Sequence, residues 1–275
     1  MNLDLINRAM LQHDPFPWLP PGALHEFIPD PAGATDKSLE LGLVQEHRFA
    51  FCFWIDWYEK QTRRGVQIAP HLVTIDFHDD TGVEGDNDRD VLKQLNLSDP
   101  KEVALFAWCG LRPSNDGHIR PAQLLGRIQD VLVLLKDKHE DDLADEQFTD
   151  LAGLRHTMSY FLSVEDLLRR LPDDGRPVLL DIDLDYLTAG DVETVRTAAS
   201  ISILPRSTLS ELLGLSRPLM QALSPRLAGI TIALEPRYTG GISNSLTLLD
   251  WLCGEWFTGQ IGATNLDWLA TRTAS

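Results

Sequence analysis

Short runs of leucine and β-branched residues recur along the chain, and longer segments of mixed polar and apolar residues separate them. The runs predict strands at 39–44, 72–77, 131–135, 156–161, 177–182 and 229–233. The intervening segments predict helices at 48–61, 101–108, 119–126, 163–171, 208–223 (one or two helices) and 243–257. Strands that alternate with helices are typical of a mostly parallel sheet that helices cover on both faces. We therefore predict an α/β fold with three layers, α/β/α.

Three segments break this alternation and predict irregular structure. The first 35 residues are rich in proline and glycine and predict an irregular lead-in that packs on the surface. Residues 79–100 are polar and acidic, and residues 136–150 are highly charged, so both segments predict loops. The chain has 275 residues, of which 43% are hydrophobic, and this is enough for one large core. A single domain over residues 1–275 is the simplest organisation.

Two clusters of acidic residues and histidine each follow a predicted strand. Asp76, His78 and Asp80 lie in VTIDFHDDT, and Asp181 and Asp183 lie in PVLLDIDLDYL. Alternate residues of a strand point to the same side, so the spacing of two within each cluster aligns its side chains. In an open α/β sheet, ligands bind beyond the carboxyl ends of the strands. We expect the four carboxylates and the imidazole to converge there.

Four converging carboxylates need a positive counter-charge. Buried carboxylates repel one another, and a bound cation relieves that repulsion. Oxygen outnumbers nitrogen among the candidate ligands and no thiolate takes part, which favours two hard divalent cations, Mn²⁺ before Zn²⁺. The alternative is that Asp-x-His-x-Asp is a solvated strand end, since such triplets arise by chance. Its pairing with a second acidic cluster favours the metal site.

Charge and hydropathy limit the classes of partner. The net charge of −17 argues against nucleic acid, because phosphates would be repelled. No apolar run reaches the roughly 18–20 residues of a membrane span, so we expect no membrane partner. An acidic field would attract a cationic substrate, although the charge is equally explained by solubility alone.

The cysteines and the amino terminus bear on the cellular compartment. Cys52, Cys109 and Cys253 are too few and too scattered for a disulfide framework or a thiolate metal site. The amino terminus lacks a basic region followed by an apolar core, which a secretory signal requires. We therefore expect a cytoplasmic protein.

The two clusters together resemble the metal motifs of the arginase–deacetylase superfamily. Asp80, the last residue of the first cluster, favours the two-manganese ureohydrolase branch over the one-zinc deacetylase branch. The resemblance extends to GLVQEHRFAFCFW, NDGHIRPAQLL and GITIALEPRYTGG and covers about residues 39–242. The chain is similar to an arginase-related family that includes bacterial peptide arginases, which convert arginine to ornithine inside ribosomally made peptides. The resemblance implies an arginase-like fold.

The resemblance also implies a further histidine ligand at the end of the strand that precedes the first cluster. His47 fits, because it follows LELGLVQE and begins a predicted helix. His71 is the rival, but Pro70 places it at the start of its strand, which is the wrong end of the sheet.

The implied ligand set holds two Mn²⁺ ions, and Asp185 is implied to lie outside it, as a supporting group or at the strand end. Carried over residue by residue, the bridging ligands are Asp76 and Asp181, one ion is completed by His47 and Asp80, and the other is completed by His78 and Asp183.

Three further residues are candidates on the substrate side. Glu235 follows ITIAL, and the resemblance implies that it holds the substrate guanidinium through two charge-assisted hydrogen bonds. The Glu-Pro-Arg run departs from the arginase pattern of glutamate before Asn-Pro, and a surface glutamate paired with Arg237 is the alternative. His118 in SNDGHIRPA is a candidate proton shuttle, because a histidine pKa lies near 6.5, or a loop histidine without a role. Asn115 is a candidate ligand of the substrate main chain.

The expected activity is manganese-dependent hydrolysis of the guanidinium group of arginine residues in a peptide, which yields ornithine and urea. Asp183 would accept a hydrogen bond from the nucleophile and pass its proton to the leaving amine. The alternatives are a ureohydrolase for a free guanidino compound such as arginine, agmatine or guanidinobutyrate, a deacetylase-type amidohydrolase, and a non-catalytic metal-dependent binding module. The loop TGVEGDNDRD is acidic and lacks the Asn-x-Pro-like pattern of free-arginine enzymes, which favours a peptide substrate.

Overall fold

A mostly parallel sheet of eight strands forms the centre of the fold. The computed structural model describes residues 18–31, 38–82, 86–112 (backbone alone at 86–88), 116–136, 143–190, 201–261 and 266–269. The strands are β1 (Leu24–Pro29), β2 (Ser38–Val44), β3 (His71–Asp76), β4 (Val131–Leu135), β5 (Glu146–Thr149), β6 (Arg155–Phe161), β7 (Val178–Asp183), β8 (Thr188–Ala189), β9 (Ser202–Ile203) and β10 (Leu227–Ala233). The sheet order is β1-β2-β10-β7-β3-β4-β6-β5, and β8 pairs with β9 separately.

The six inner strands of this sheet run parallel, and its edge strands β1 and β5 are antiparallel to their neighbours. The separate pair of β8 and β9 is antiparallel. The described helices are α1 (Ala50–Arg63), α2 (Asp86–Gln94), α3 (Pro100–Leu105), α4 (Ile119–Leu124), α5 (Val164–Arg170), α6 (Arg206–Leu213), α7 (Pro218–Leu223) and α8 (Ile242–Trp256). Short 3-10 turns occupy His47–Phe49, Leu184–Leu187 and Ser224–Arg226, and a π turn, Phe106–Gly110, follows α3.

Alternate residues of the inner strands enter hydrophobic clusters on opposite faces of the sheet. Leu72 and Leu179 pack into the cluster that includes α1, α3 and α4. Val73 and Leu180 pack into the cluster that includes α5, α6, α7 and α8. Strands buried on both faces are continuous apolar runs, as in parallel sheets of α/β proteins. The predicted α/β class with a mostly parallel sheet is thereby confirmed, and the helices on both faces are compatible with three layers.

The six predicted strands correspond to β2, β3, β4, β6, β7 and β10 within two residues at each end. Three elements lie where the sequence predicts irregular structure. β1 lies inside the predicted irregular lead-in, of which residues 1–17 and 32–35 lie outside the described residues, and β5 and α2 lie inside predicted loops. The two strands are edge strands with partly exposed faces, so their sequences lack a continuous apolar run. The prediction of a single domain stays a prediction.

The register of the parallel strands aligns the ends that carry the acidic clusters. Thr74 of β3 and Thr231 of β10 are both level with Asp181 of β7. Ile75 pairs with Ile182, so the last residues of β3 and β7 lie side by side at the carboxyl edge. Among the described residues, no helix has both the length and the apolar character needed to span a bilayer.

Candidate metal centre

His47 lies among three carboxylates at the carboxyl edge of the sheet. It follows β2, and its 3-10 turn leads into α1. The side chain is completely buried. Its Nδ1 atom lies 2.9 Å from Oδ2 of Asp80 and 3.2 Å from Oδ2 of both Asp76 and Asp183. One nitrogen and three oxygens therefore face one another at the carboxyl ends of β2, β3 and β7.

These distances fit neighbouring ligands of one divalent cation. In an octahedral site with metal–ligand bonds of about 2.1 Å, adjacent ligand atoms lie about 3 Å apart. Ligand atoms of His47, Asp76, Asp80 and Asp183 all lie within 4.8 Å of one another. Oδ2 of Asp76 is buried and accepts no hydrogen bond from a described residue, as expected of an oxygen that faces a cation. The four residues, which we call the His47 group, can hold a metal ion.

A second group of possible ligands shares one carboxylate with the first. Ligand atoms of Asp76, His78 and Asp185 also lie within 4.8 Å of one another. Nδ1 of His78 is 3.0 Å from Oδ2 of Asp185, which lies in the 3-10 turn directly after β7. We call these three residues the His78 group. Because Asp76 belongs to both groups, two ions bound there would be neighbours.

The His78 group lies nearer to solvent than the His47 group. The His78 side chain is 31% exposed, whereas that of His47 is fully enclosed. The ring of Tyr238 meets His78 edge-on, with a centroid distance of 5.4 Å. Phe77 contacts the same imidazole at 5.1 Å. The site therefore opens to solvent beside His78 and two aromatic rings.

Asp181 occupies a different position from the one expected of a bridging ligand. Its Oδ2 atom lies 2.6 Å from Nε2 of His47, on the side of the ring away from Nδ1. Thr74 donates a hydrogen bond of 2.8 Å to the same oxygen, and Thr231 donates one to Oδ1. Trp54 donates in turn to Thr231. Asp181 thus orients the His47 ring, which is a common arrangement behind histidine ligands of metals.

The acidic run DIDLD explains this difference, since it offers three carboxylates at alternate positions. Asp183 ends β7 and Asp185 follows in the turn, so these two side chains meet the ligand groups. Asp181 lies two residues before Asp183 within β7, level with Thr74 and Thr231. Among the acids of this run, Asp183 and Asp185 lie in the two groups that could hold a metal, whereas the sequence predicts Asp181 and Asp183 as ligands. Spacing alone predicts that Asp185 faces the same way, but not that it projects into the cluster.

His118 lies against the His47 group. It precedes α4 and is completely buried, which differs from the polar loop position that the sequence indicates. Its ring centroid is 4.3 Å from that of His47, and its other face stacks on Trp54 at 5.4 Å. A ligand atom of His118 lies within 4.8 Å of those of His47 and Asp80. His118 is therefore placed to contact a metal or its ligands, and its role as a proton shuttle stays a prediction.

Two residues at the site adopt left-handed backbone conformations without being glycine. Asp80 has a φ of 43° and Glu235 has a φ of 38°. Non-glycine residues in this region cost on the order of 1–3 kcal/mol each and cluster at functional sites. Both side chains are buried and both point into the neighbourhood of His47. The fold thus holds two strained residues in contact with His47, Asp80 at the imidazole and Glu235 at the backbone N–H.

Glu235 is a buried acid beside the cluster. It follows β10 and is only 3% exposed, which argues against a surface glutamate paired with Arg237. Its Oε1 atom accepts a hydrogen bond from the backbone N–H of His47. Burial and, to a smaller extent, the charges of Asp185 and Asp76 raise the pKa of Glu235 to about 7. A cationic group beside this carboxylate would favour its charged form.

The cluster needs positive charge to hold its carboxylates ionised. Burial, followed by repulsion from Asp76, raises the pKa of Asp80 well above its ordinary range. Burial and the charges of Asp185 and Asp76 do the same to the pKa of Asp183. For His47, burial lowers the pKa, but Asp181 and Asp183 outweigh it and raise the pKa well above its usual range. A divalent cation would replace protons at this site.

The remaining sequence candidates lie elsewhere. His71 is the first residue of β3 and so lies at the amino ends of the parallel strands, away from the acidic cluster. There its Nε2 atom lies 3.0 Å from Asp174 and its Nδ1 atom accepts the N–H of Asp130. The structure thus brings His47, and not His71, to the acidic cluster. Asn115 lies outside the described residues.

Comparison with known proteins gives no independent assignment. Neither a scan against models of protein families nor a search of curated proteins found a match.

Proposed function

We propose that this chain is a binuclear metal-dependent hydrolase that releases urea from arginine residues of a peptide and leaves ornithine. The observation that carries the proposal is the pair of ligand groups that share Asp76. The His47 group would hold one ion and the His78 group the other. Adjacent divalent cations are typical of enzymes that activate water against a resonance-stabilised carbon or phosphorus centre.

The donor atoms support Mn²⁺ as the metal. The two groups together offer carboxylates from Asp76, Asp80, Asp183 and Asp185, and imidazoles from His47 and His78. Such oxygen-rich sets with some imidazole suit Mn²⁺, and no cysteine takes part in them. When bound, the two cations would lower the pKa of a water molecule and polarise it for attack. The two groups also favour a ureohydrolase over a one-zinc deacetylase-type amidohydrolase.

Glu235 would bind the substrate guanidinium. A carboxylate and a planar guanidinium form two parallel charge-assisted hydrogen bonds. The burial that raises the pKa of Glu235 strengthens such a pair, because little water competes for either partner. Held in this way, the guanidinium carbon would lie over the cluster beside His47. The backbone N–H of His47 already donates a hydrogen bond to Glu235.

Asp183 would move the proton. Its Oδ1 atom accepts the N–H of Asp185 at 3.0 Å, and its Oδ2 atom faces the cluster near Nδ1 of His47. The Asp183 carboxylate would accept a hydrogen bond from the attacking water, take its proton and deliver it to the leaving amine. Products would then be urea and an ornithine side chain, and His118 would exchange protons next to His47.

The sequence and the open side of the site support a peptide as the substrate. A chain longer than one amino acid needs an approach that is not closed around the α-carbon, and the His78 side is partly exposed. The physiological partner would be an arginine-containing precursor peptide, made on the ribosome and modified in the cytoplasm. Free arginine or agmatine is the alternative substrate, and a binding module without turnover is the alternative function.

The test combines metal content with product analysis. The chain is expressed with added Mn²⁺, its metal is measured by elemental analysis, and arginine peptides, agmatine and arginine are each incubated with it. We expect about two equivalents of manganese per chain, urea release, and peptides lighter by one cyanamide unit per arginine. Asp76→Asn should abolish both metal binding and urea release. Asp174→Asn, which changes an acid at the opposite edge of the sheet, is the matched control. One tight zinc ion or no urea from any substrate would refute the proposal.

A further inference from the structure

A cleft of about 490 Å³ lies beside the candidate metal centre. Its walls come from α2, from the π turn after α3 and from the start of α4. This volume lies within the range of about 300–1,000 Å³ that is usual for ligand sites. The side chains that carry the argument are Val91, Phe106, Trp108, Leu111, Arg48 and Arg112.

Three residues that line the cleft are close in sequence to residues of the candidate metal centre. Arg48 follows His47 directly, Gly82 lies two residues after Asp80, and Gly117 directly precedes His118. Two residues of chain span at most about 7 Å, so the cleft cannot be far from the cluster. The loops that separate them are tied together, since the N–H of Gly82 donates to the carbonyl of Asp116 at 2.5 Å.

The floor of the cleft exposes large apolar side chains. Trp108 is 49% exposed and Val91 is 51% exposed, and both line the cleft together with Phe106 and Leu111. Contiguous exposed apolar surface that is rimmed by polar groups marks a binding site in many soluble proteins. An aromatic side chain offers a large contact area at small cost in conformational entropy. The floor of the cleft is therefore suited to bind an apolar side chain of a ligand.

The rim of the cleft carries a half-exposed guanidinium. The Arg112 side chain lies across two glycines, because a Cβ at Gly82 or at Gly117 would come within 3.2 Å of it. Its Nη1 atom is 3.7 Å from Oδ2 of Asp116, and both side chains are about half exposed. Exposed ion pairs of this kind contribute little, so a carboxylate of a ligand can bind the same guanidinium. Arg48, the other charged side chain among the described lining residues, is buried and paired with Glu46 at 2.7 Å, so Arg112 supplies the cationic group that a ligand in the cleft can reach.

We propose that this cleft holds the peptide segment that flanks the target arginine, with an apolar side chain against Trp108 and an acidic side chain at Arg112. The inference rests on the proposed function and adds a sequence preference to it: an arginine that has an apolar and an acidic residue as close neighbours. A free guanidino compound has no group that reaches this cleft, so its binding would not depend on the residues that line the cleft.

The test uses four fluorescein-labelled peptides with one central arginine. Each peptide carries the same two residues on both sides of the arginine, namely Phe-Glu, Ser-Glu, Phe-Gln or Ser-Gln. Binding to the manganese-supplemented full chain is followed by fluorescence anisotropy, and urea release is measured in parallel. We expect the Phe-Glu peptide to bind at least about tenfold more tightly than the Ser-Gln peptide, as two well-placed contacts imply.

Two variants separate the two contacts. Trp108→Ala should remove the preference for phenylalanine and leave the preference for glutamate. Arg112→Gln should do the reverse. Leu246→Ala and Arg169→Gln change an exposed leucine on α8 and an exposed arginine on α5, and as controls they should leave both preferences intact. Thermal unfolding of each variant shows whether it is folded.

The outcomes distinguish this inference from the proposed function. Equal binding of all four peptides, or the same preferences in Trp108→Ala as in Leu246→Ala, overturns the cleft as a peptide site, even where urea is released. Tight, variant-sensitive binding without urea from any peptide supports the cleft and refutes the hydrolase. A wild-type dimer that Trp108→Ala converts to a monomer, with unchanged peptide preferences, would show that the cleft binds a second copy of this chain and overturns the inference.

Discussion

Oδ2 of Asp181 lies 2.6 Å from Nε2 of His47, while Nδ1 of the same ring faces the carboxylates of the His47 group. One acid therefore holds the imidazole from behind while the others surround its free face. Thr74 and Thr231 fix Asp181 by hydrogen bonds to its two oxygens. Because all three residues are level in neighbouring strands, the sheet itself determines the orientation of His47.

Asp181→Asn should weaken metal binding without abolishing it. The amide retains hydrogen-bonding ability but loses the negative charge behind the ring, and loss of such a supporting carboxylate typically costs about 10- to 100-fold in metal affinity. Titration calorimetry of the metal-free chain with Mn²⁺ measures the change. Asp76→Asn is the comparison, since Asp76 belongs to both ligand groups and its variant should lose both ions. Equally complete loss in Asp181→Asn would identify Asp181 as a direct ligand.

The two candidate histidines should separate metal binding from stability. His47→Ala removes the nitrogen at the centre of the acidic cluster, so we expect loss of at least one manganese equivalent and a sharp fall in urea release. His71→Ala should retain metal and activity, because His71 lies at the far edge of the sheet. It should instead lower the melting temperature by a few degrees, as loss of a buried hydrogen bond costs about 1–3 kcal/mol. Metal loss in His71→Ala alone would reverse this assignment.

The elements that the sequence predicts well are the ones buried on both faces. β4, VLVLL, is a continuous apolar run, and β7, VLLDID, is interrupted only by its two aspartates; such runs have few other interpretations. β1 and β5 have partly exposed faces and mixed composition, so their pairing depends on the strands next to them. Local pattern cannot supply that tertiary information.

The same limit applies to the candidate site. The sequence predicts an acidic metal cluster and favours His47, because both follow from where strands end. From DIDLD it predicts Asp181 and Asp183 as ligands, whereas the structure brings Asp183 and Asp185 into the two groups, because their positions depend on the register with β3 and β10. Nor does it indicate the left-handed conformations of Asp80 and Glu235, because residues other than glycine rarely adopt a positive φ. The burial of His118 against Trp54 is likewise a tertiary contact.

Glu235→Gln should impair turnover and leave the metal content unchanged. The glutamine has the size of glutamate but cannot form the charged fork with a guanidinium. Removal of one partner from a buried ion pair costs roughly 3–5 kcal/mol, which corresponds to at least about a hundredfold in rate. Urea release and elemental analysis give the two readouts. Loss of metal would place Glu235 among the ligands, and full activity would remove it from the substrate site.

Glu235 should also make the stability of the metal-free chain depend on pH. Its pKa is raised from 4.5 to about 7, mainly by burial. Between these values the folded chain binds more protons at this group than the unfolded chain, so its contribution to stability falls as pH rises. The melting temperature of metal-free wild type should therefore fall more between about pH 5 and pH 7 than that of Glu235→Gln. An identical pH dependence in the two proteins would contradict the raised pKa.

Lys136→Met should affect the His78 group and spare the His47 group. Lys136 follows β4, and its Nζ atom donates hydrogen bonds to the carbonyls of Tyr186, at 3.0 Å, and of Thr188. These bonds hold the 3-10 turn that presents Asp185. Methionine fills much of the same space but cannot donate, so the turn should loosen.

We expect Lys136→Met to retain about one of the two manganese equivalents, because Asp183, which β7 contributes to the His47 group, is held in the strand and not in the turn. Titration calorimetry resolves the loss as the disappearance of the weaker binding step. Lys136→Arg should restore part of that step, since it retains the charge and the donors. Lys93→Met, at an exposed lysine that pairs with Asp90, is the matched control for loss of surface charge. Two unchanged binding steps in Lys136→Met would show that Asp185 either is positioned without the lysine or does not bind metal, and Asp185→Asn would then separate the two explanations.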